Sequence, residues 1–128
     1  MEKLKIRTGQ ISLQIVGDDD EVRGVFSFNP EDVESARRFL EIRNELIEKQ
    51  QEFTEQEEKC QDDESKMQLL NDIVDYFESV IDKCFGEGSS KLLFGDNKSL
   101  TMFSDFIEGI APYYDEASKK RMAKYSKK

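Results

Sequence analysis

A change in the spacing of apolar residues near residue 29 constrains the fold more than any other feature. Before it, apolar side chains occupy every second position, as in Ile11, Leu13 and Ile15 and again in Phe26 and Phe28. A period of two with one apolar face is typical of half-buried antiparallel strands. After it, apolar residues recur every three or four positions, which is typical of amphipathic helices. The sequence therefore predicts an α+β fold.

The predicted ribbon is N-terminal and antiparallel, covers residues 3–28 and contains two or three strands. Leu4 and Ile6 form the first alternating segment, and an acidic turn over residues 17–20 separates the later two. Two or three strands are marginally stable alone. We therefore expect the ribbon to pack on helices or to pair with another chain, and its free strand edge predicts self-association.

Three helices are predicted, over about residues 30–58, 63–85 and 99–116. Asn29 is the predicted cap of the first helix and Pro30 its first residue. A loop with a short helical turn joins the last two helices, and Pro112 predicts a kink or break in the third. One apolar side is expected for the first helix: Val33, Ala36, Phe39, Leu40, Ile42, Leu46, Ile47 and Phe53.

The charge is unevenly distributed along the chain. Its length of 128 residues fits one domain, predicted over residues 1–118. Residues 119–128 hold six basic and no acidic residues, so the remainder carries 28 acids and 13 bases. This basic end is read either as a mobile, solvated tail or as a segment that docks on an acidic neighbouring copy. The acidic body disfavours nucleic acid and anionic lipid as partners.

The sequence favours a binding protein over an enzyme. It contains no histidine, the usual general base near neutral pH, and its carboxylates cluster on predicted solvated faces. The acidic turn lacks the ligand spacing of a calcium loop. Residues 86–91 lack the ending of a phosphate-binding loop. We therefore predict no catalytic residue, cofactor or metal, and the absence of an apolar run of ~18 residues favours the cytoplasm over a membrane.

Several stretches resemble one family of small phage proteins. The most specific is FGEGSSKLLFGDN at residues 85–97, accompanied by FIEGIAPY at 106–113 and RMAKY at 121–125. IRTGQISL at 6–13 and FSFNP at 26–30 are similar to the same group. These proteins are encoded among the tail genes of tailed phages and prophages of Gram-positive bacteria, in the position of the tail assembly chaperone.

The resemblance implies a function in the cytoplasm of the bacterial host. Tail assembly chaperones bind the long, helical tape measure protein, keep it soluble and are absent from the finished virion. Some have a longer form, made by ribosomal frameshifting, that recruits the tail-tube protein. The Lys127-Lys128 pair is compatible with such slippage and equally with a solubilising end. Two alternatives stay open: a structural or adaptor component of the tail or head, and an acidic phage protein that inhibits a host factor.

The pattern in this chain, rather than the resemblance, selects the candidate contact residues. Phe94 lies in the predicted loop, either in the core or at a contact with the tape measure protein or another copy. The tyrosines near the basic end either pack on the ribbon or bind a partner, since Tyr and Arg favour interfaces. The predicted partner-binding residues are Phe94, Tyr113, Tyr114, Lys120, Arg121, Lys124 and Tyr125.

Overall fold

The structure, a computed structural model, describes residues 1–126 and confirms the α+β class. Within that range two antiparallel strands precede four helices. The sequence predicted three of these helices as such, and the additional one is the short helical turn that was predicted between the last two. Lys127 and Lys128, which belong to the predicted tail and to the slippage prediction, lie outside the described residues. The elements are β1 (Ile11–Val16), β2 (Val22–Phe28), α1 (Val33–Lys59), α2 (Asp63–Phe85), α3 (Ser89–Phe94) and α4 (Leu100–Ser126).

The ribbon consists of β1 and β2, paired antiparallel. Leu13 faces Phe26 and Ile11 faces Phe28, so alternate side chains point toward the helices. The register shifts between Ile15 and Val16, and this leaves Arg23 without an opposite residue. Such a bulge redirects the side chain of the extra residue.

Arg23 ties the bulge to the helical layer. Its Nη1 donates a hydrogen bond to the carbonyl oxygen of Leu93 in α3 at 2.9 Å. This bond joins residues 70 positions apart in the chain. It therefore fixes the turn end of β2 to the short helix α3.

The predicted ribbon is shortened at its start, because residues 1–10 are not in a strand. Gly9 has a φ of +87°, a conformation that favours glycine, and a Cβ at this position would overlap the carboxylate of Glu31. Asn29 Nδ2 also donates to the carbonyl oxygen of Thr8 at 2.8 Å. These contacts end the extended conformation before Ile11, so the alternating Leu4 and Ile6 do not join the sheet.

The first helix begins three residues later than predicted. Asp32, not Asn29, is the N-cap, and its carboxylate accepts a hydrogen bond from the backbone N–H of Ser35 at 2.8 Å. Asn29 instead accepts from the N–H of Glu31 and closes a turn. Pro30 is buried in this turn. The competing Asx turn explains why the predicted cap was wrong.

The second and third helices form one unit. Asp62 caps α2 through the N–H of Ser65 at 2.7 Å, and Gly86, with a φ of +114°, follows its last residue. The carboxylate of Asp82 then accepts from the backbone N–H of Ser90 at 2.8 Å. This hydrogen bond holds α3 against the end of α2.

The last helix is longer than predicted and has no break. α4 continues through Pro112 to Ser126, whereas the sequence predicted an end at 116 and a tail from 119. Ile107 and Ile110 before the proline and Tyr114 and Ala117 after it are buried along the same side of the helix. Their shared packing offsets the one hydrogen bond that proline removes, a cost of about 3 kcal/mol.

The core lies where the inner face of the ribbon meets the four helices. Aromatic rings dominate its centre: Phe39 stacks on Tyr114 with centroids 4.2 Å apart, and Phe77 contacts Phe103 at 5.3 Å. Across residues 1–126, no helix is long and apolar enough to cross a membrane. The most buried side chains of the helices are Phe39, Val74, Phe77, Ile81 and Phe103.

Candidate partner-binding surface

The apolar residues of α1 divide into two stripes, where the sequence predicted a single side. Phe39, Ile42 and Leu46 are buried in the core. Val33, Leu40 and Ile47 are 69%, 47% and 52% exposed, and no element within the described residues covers them. We call this second set the exposed stripe. Successive members are seven residues apart, which is about two helical turns, so all three lie along one side of α1.

The exposed stripe borders a groove between α1 and the C-terminal half of α4. The groove has a volume of about 160 Å³. This is below the roughly 300–1,000 Å³ of small-molecule sites, so it fits apolar side chains of a partner better than a cofactor. Its lining residues are Ala36, Phe39, Leu40, Tyr114, Asp115, Ser118 and Arg121.

Charged side chains frame the exposed stripe without covering it. Arg37 forms ion pairs with Glu34 and Glu41 on the solvated side of α1, and the pairing with Arg37 lowers the pKa of the Glu34 carboxyl. On the other side, the Arg43 guanidinium lies 5.6 Å from the ring centroid of Phe39. The surface is therefore an apolar line between charged borders, the usual composition of a surface that binds an amphipathic helix.

Two of the predicted contact residues lie in the core. Phe94 is buried against Phe103, with ring centroids 4.8 Å apart, and is not offered to a partner in this structure. Tyr114 is buried between Phe28 and Phe39, and its hydroxyl shares a 2.9 Å hydrogen bond with Ser35 Oγ. Burial raises the pKa of the Tyr114 phenol, while the bond to Ser35 lowers it.

The other predicted contact residues are distributed around α4. Tyr113 is half-buried with its ring edge against Phe28. Arg121 is half-buried at the groove, and Lys120 and Lys124 are exposed. Tyr125 lies in the last turn of α4, and its side chain is outside the described part of the structure. Of the predicted set, Arg121 and the buried Tyr114 line the groove, and neither belongs to the exposed stripe.

A larger cleft between α1 and α2 is less suited to binding. It has a volume of about 480 Å³ but is lined mainly by charged and polar side chains, whereas ligand sites are mostly apolar. Tyr76 donates a 2.9 Å hydrogen bond to Glu45 across it, and burial together with this carboxylate raises the Tyr76 pKa. Burial also raises the pKa of the Cys84 thiol, which favours the protonated, weakly nucleophilic form.

The described residues contain no cluster suited to metal binding. In residues 1–126, no three His, Cys, Asp or Glu side chains converge on one point. Each buried side-chain nitrogen or oxygen in the described residues has a hydrogen-bond partner. The groups that the exposed stripe and its borders present are apolar side chains and the ion pairs of Arg37.

The exposed stripe was not among the residues predicted to bind a partner. Its signal was nevertheless in the sequence: positions 33, 40 and 47 are spaced by seven, while the core positions 39, 42, 46 and 53 follow a separate line. On a helix with 3.6 residues per turn, these two lines lie about 120° apart. A single apolar side could not have contained both.

Comparison with known proteins gives one family. A family model described as "Family of unknown function (DUF6673)" matches residues 23–128, a range that includes β2 from its second residue onward and the helices α1 to α4. No curated protein and no solved structure matches the chain. Because the match covers most of the sequence, the chain belongs to the DUF6673 family.

Proposed function

We propose that this protein is a tail assembly chaperone of a tailed phage or prophage, which binds the tape measure protein in the cytoplasm of its Gram-positive host. The observation that carries the proposal is the exposed stripe. Val33, Leu40 and Ile47 form an apolar line on the solvent-facing side of α1, which is otherwise mostly charged or polar. A line of this kind is costly in a lone protein and becomes favourable when a partner covers it.

The dimensions suit a helical partner. Val33 and Ile47 are 14 positions apart, which corresponds to about 21 Å along the helix axis. A partner helix with apolar residues at a seven-residue repeat presents a matching line over the same length. The groove beside Leu40 gives one partner side chain a place to insert. The charged borders stay in water, so the complex remains soluble while the partner's apolar side is covered.

The stretch that carries the phage resemblance has a different role. Residues 85–97 end α2, form α3 and return the chain toward α4. Phe85 and Phe94 both contact Phe106, and Arg23 bonds to α3. This stretch therefore builds the scaffold, and the resemblance supports the kind of protein rather than the position of the binding surface.

Co-expression tests the proposal. A tape measure protein encoded beside this chain is expressed alone, with this protein, and with an unrelated acidic protein of similar size. We expect the soluble fraction of the tape measure protein to rise only with this protein, because covering apolar helical surface removes the route to aggregation. The proposal fails if the tape measure protein stays insoluble at a several-fold excess of this chain.

A further inference from the structure

Residues 3–7 have the pattern of a strand but pair with nothing in the structure. Leu4 and Ile6 are 86% and 72% exposed, and the intervening Lys3, Lys5 and Arg7 are exposed as well. Branched or aliphatic residues that alternate with charges are typical of a strand with one face to be buried. The isolated segment has no surface within its own chain on which to bury that face.

Among residues 1–126, the edge of β1 that faces away from β2 is unpaired. The inward side chains of β2, Phe26 and Phe28, are buried, whereas Ile11, Leu13 and Ile15 of β1 pack against the core but are only partly buried. Within the described residues, no backbone hydrogen bond joins β1 to any element besides β2. β1 is therefore an open edge with unpaired N–H and C=O groups and incompletely covered apolar side chains.

The chain's own residues 3–7 are held away from this edge. The hydrogen bond from Asn29 to Thr8 and the contact of Gly9 with Glu31 fix residues 8–9 beside the start of α1. Folding back along β1 would require a reversal at residues 8–10 and the loss of both contacts. The edge of a second copy imposes no such requirement.

We propose that residues 3–7 of one copy add as a third strand to the β1 edge of a second copy. Five residues in a strand extend about 17 Å, close to the length of the six-residue β1. Leu4 and Ile6 then cover the part of Ile11, Leu13 and Ile15 that is still accessible to solvent. Reciprocal addition gives a closed dimer, and head-to-tail addition gives a longer assembly.

The charges of the basic residues 3–7 and of the acidic turn after β1 also favour a second copy of the chain as the partner. The turn that follows β1 contains Asp18, Asp19, Asp20 and Glu21, all exposed. In either strand direction, one end of the basic segment 3–7 comes next to this acidic turn. Opposite charges at the end of an added strand fix its register and speed its association.

Sedimentation velocity over a range of concentrations tests the proposal on the full chain. Wild type is expected to associate by mass action. Leu4→Ser/Ile6→Ser removes the buried face of the added strand and should weaken association on the order of 100-fold. Val25→Thr/Met122→Ser, which changes two other exposed apolar residues, should associate like wild type. The proposal is overturned if wild type is monomeric at the highest concentration, or if Leu4→Ser/Ile6→Ser associates as strongly as wild type.

Hydrogen exchange separates addition to a second copy from addition to the same chain. If the segment adds to a second copy, the β1 amides become protected as concentration rises, and the protection is lost in Leu4→Ser/Ile6→Ser. Protection that is independent of concentration places the segment on its own sheet and overturns the proposal. Circular dichroism of each variant shows whether the fold is retained.

Discussion

Replacing two members of the exposed stripe should weaken partner binding while leaving the fold intact. The variant is Leu40→Gln/Ile47→Gln, since glutamine is soluble and favours helices at least as well as isoleucine. Full burial of Leu or Ile contributes about 1.5–3 kcal/mol. Leu40 and Ile47 are about half exposed, so a covering partner adds roughly half of that for each. The pair therefore contributes about 2 kcal/mol, or ~30-fold in the dissociation constant.

Isothermal titration calorimetry with a soluble helical segment of the tape measure protein measures this effect. Met67→Gln/Val25→Thr is the matched control, because both residues are similarly exposed but lie on α2 and on the outer face of the ribbon. The control should bind like wild type. Equal affinity of the stripe variant and wild type would refute the assignment of this surface, and a loss shared by both variants would show that apolar exposure in general drives binding.

Three further predictions concern stability and are checked by denaturant or thermal unfolding. Tyr114→Phe should lower the free energy of unfolding by about 1 kcal/mol, since it removes the hydrogen bond to Ser35 and keeps the ring. An unchanged free energy of unfolding would show that this hydrogen bond does not stabilise the fold. Phe94→Ala should lower the free energy of unfolding by about 3–5 kcal/mol, because Phe94 is a core residue. Weaker partner binding with an unchanged free energy of unfolding would instead show that Phe94 contacts the partner. Asp62→Ala should lower the melting temperature at neutral pH, and Asp62→Asn, which keeps a capping oxygen without the charge, should lower it less. The N–H of Ser65 lowers the Asp62 pKa, so the carboxylate's contribution to stability is present above its pKa in the unfolded chain and is lost as the pH falls through its lower pKa in the folded protein. A difference in melting temperature between wild type and Asp62→Ala that does not shrink as the pH falls through this range contradicts the prediction.

The regular elements were predictable where sequence pattern and packing agree. The bounds predicted for the second helix, residues 63–85, are those of α2, and the structure places Asp62 and Gly86 as its caps. The ribbon was recognisable from the alternation around Leu13 and Phe26. In these segments local preference and tertiary contact favour the same conformation.

The differences arise where a distant contact decides the outcome. The chain at Gly9 is not part of the sheet and lies against Glu31 instead. Local sequence does not reveal this contact, because the two residues are far apart in the chain. α4 passes Pro112 because buried residues on both sides hold it in place. Phe94 and Tyr114 were each predicted either to pack in the interior or to contact a partner, because aromatic residues suit a core and an interface equally well, and the structure buries both in the core. The proposed binding surface could be recognised only by separating two apolar lines on α1.

Methyl NMR tests the central claim, that the exposed stripe binds the tape measure protein, most directly. The methyl groups of Leu40 and Ile47 report on the stripe, those of Ile73 on the core, and those of Val25 on the outer face of the ribbon. On addition of the tape measure segment, we expect the Leu40 and Ile47 signals to shift and the Val25 and Ile73 signals to stay in place. Bound segment with unshifted Leu40 and Ile47 signals would contradict the claim.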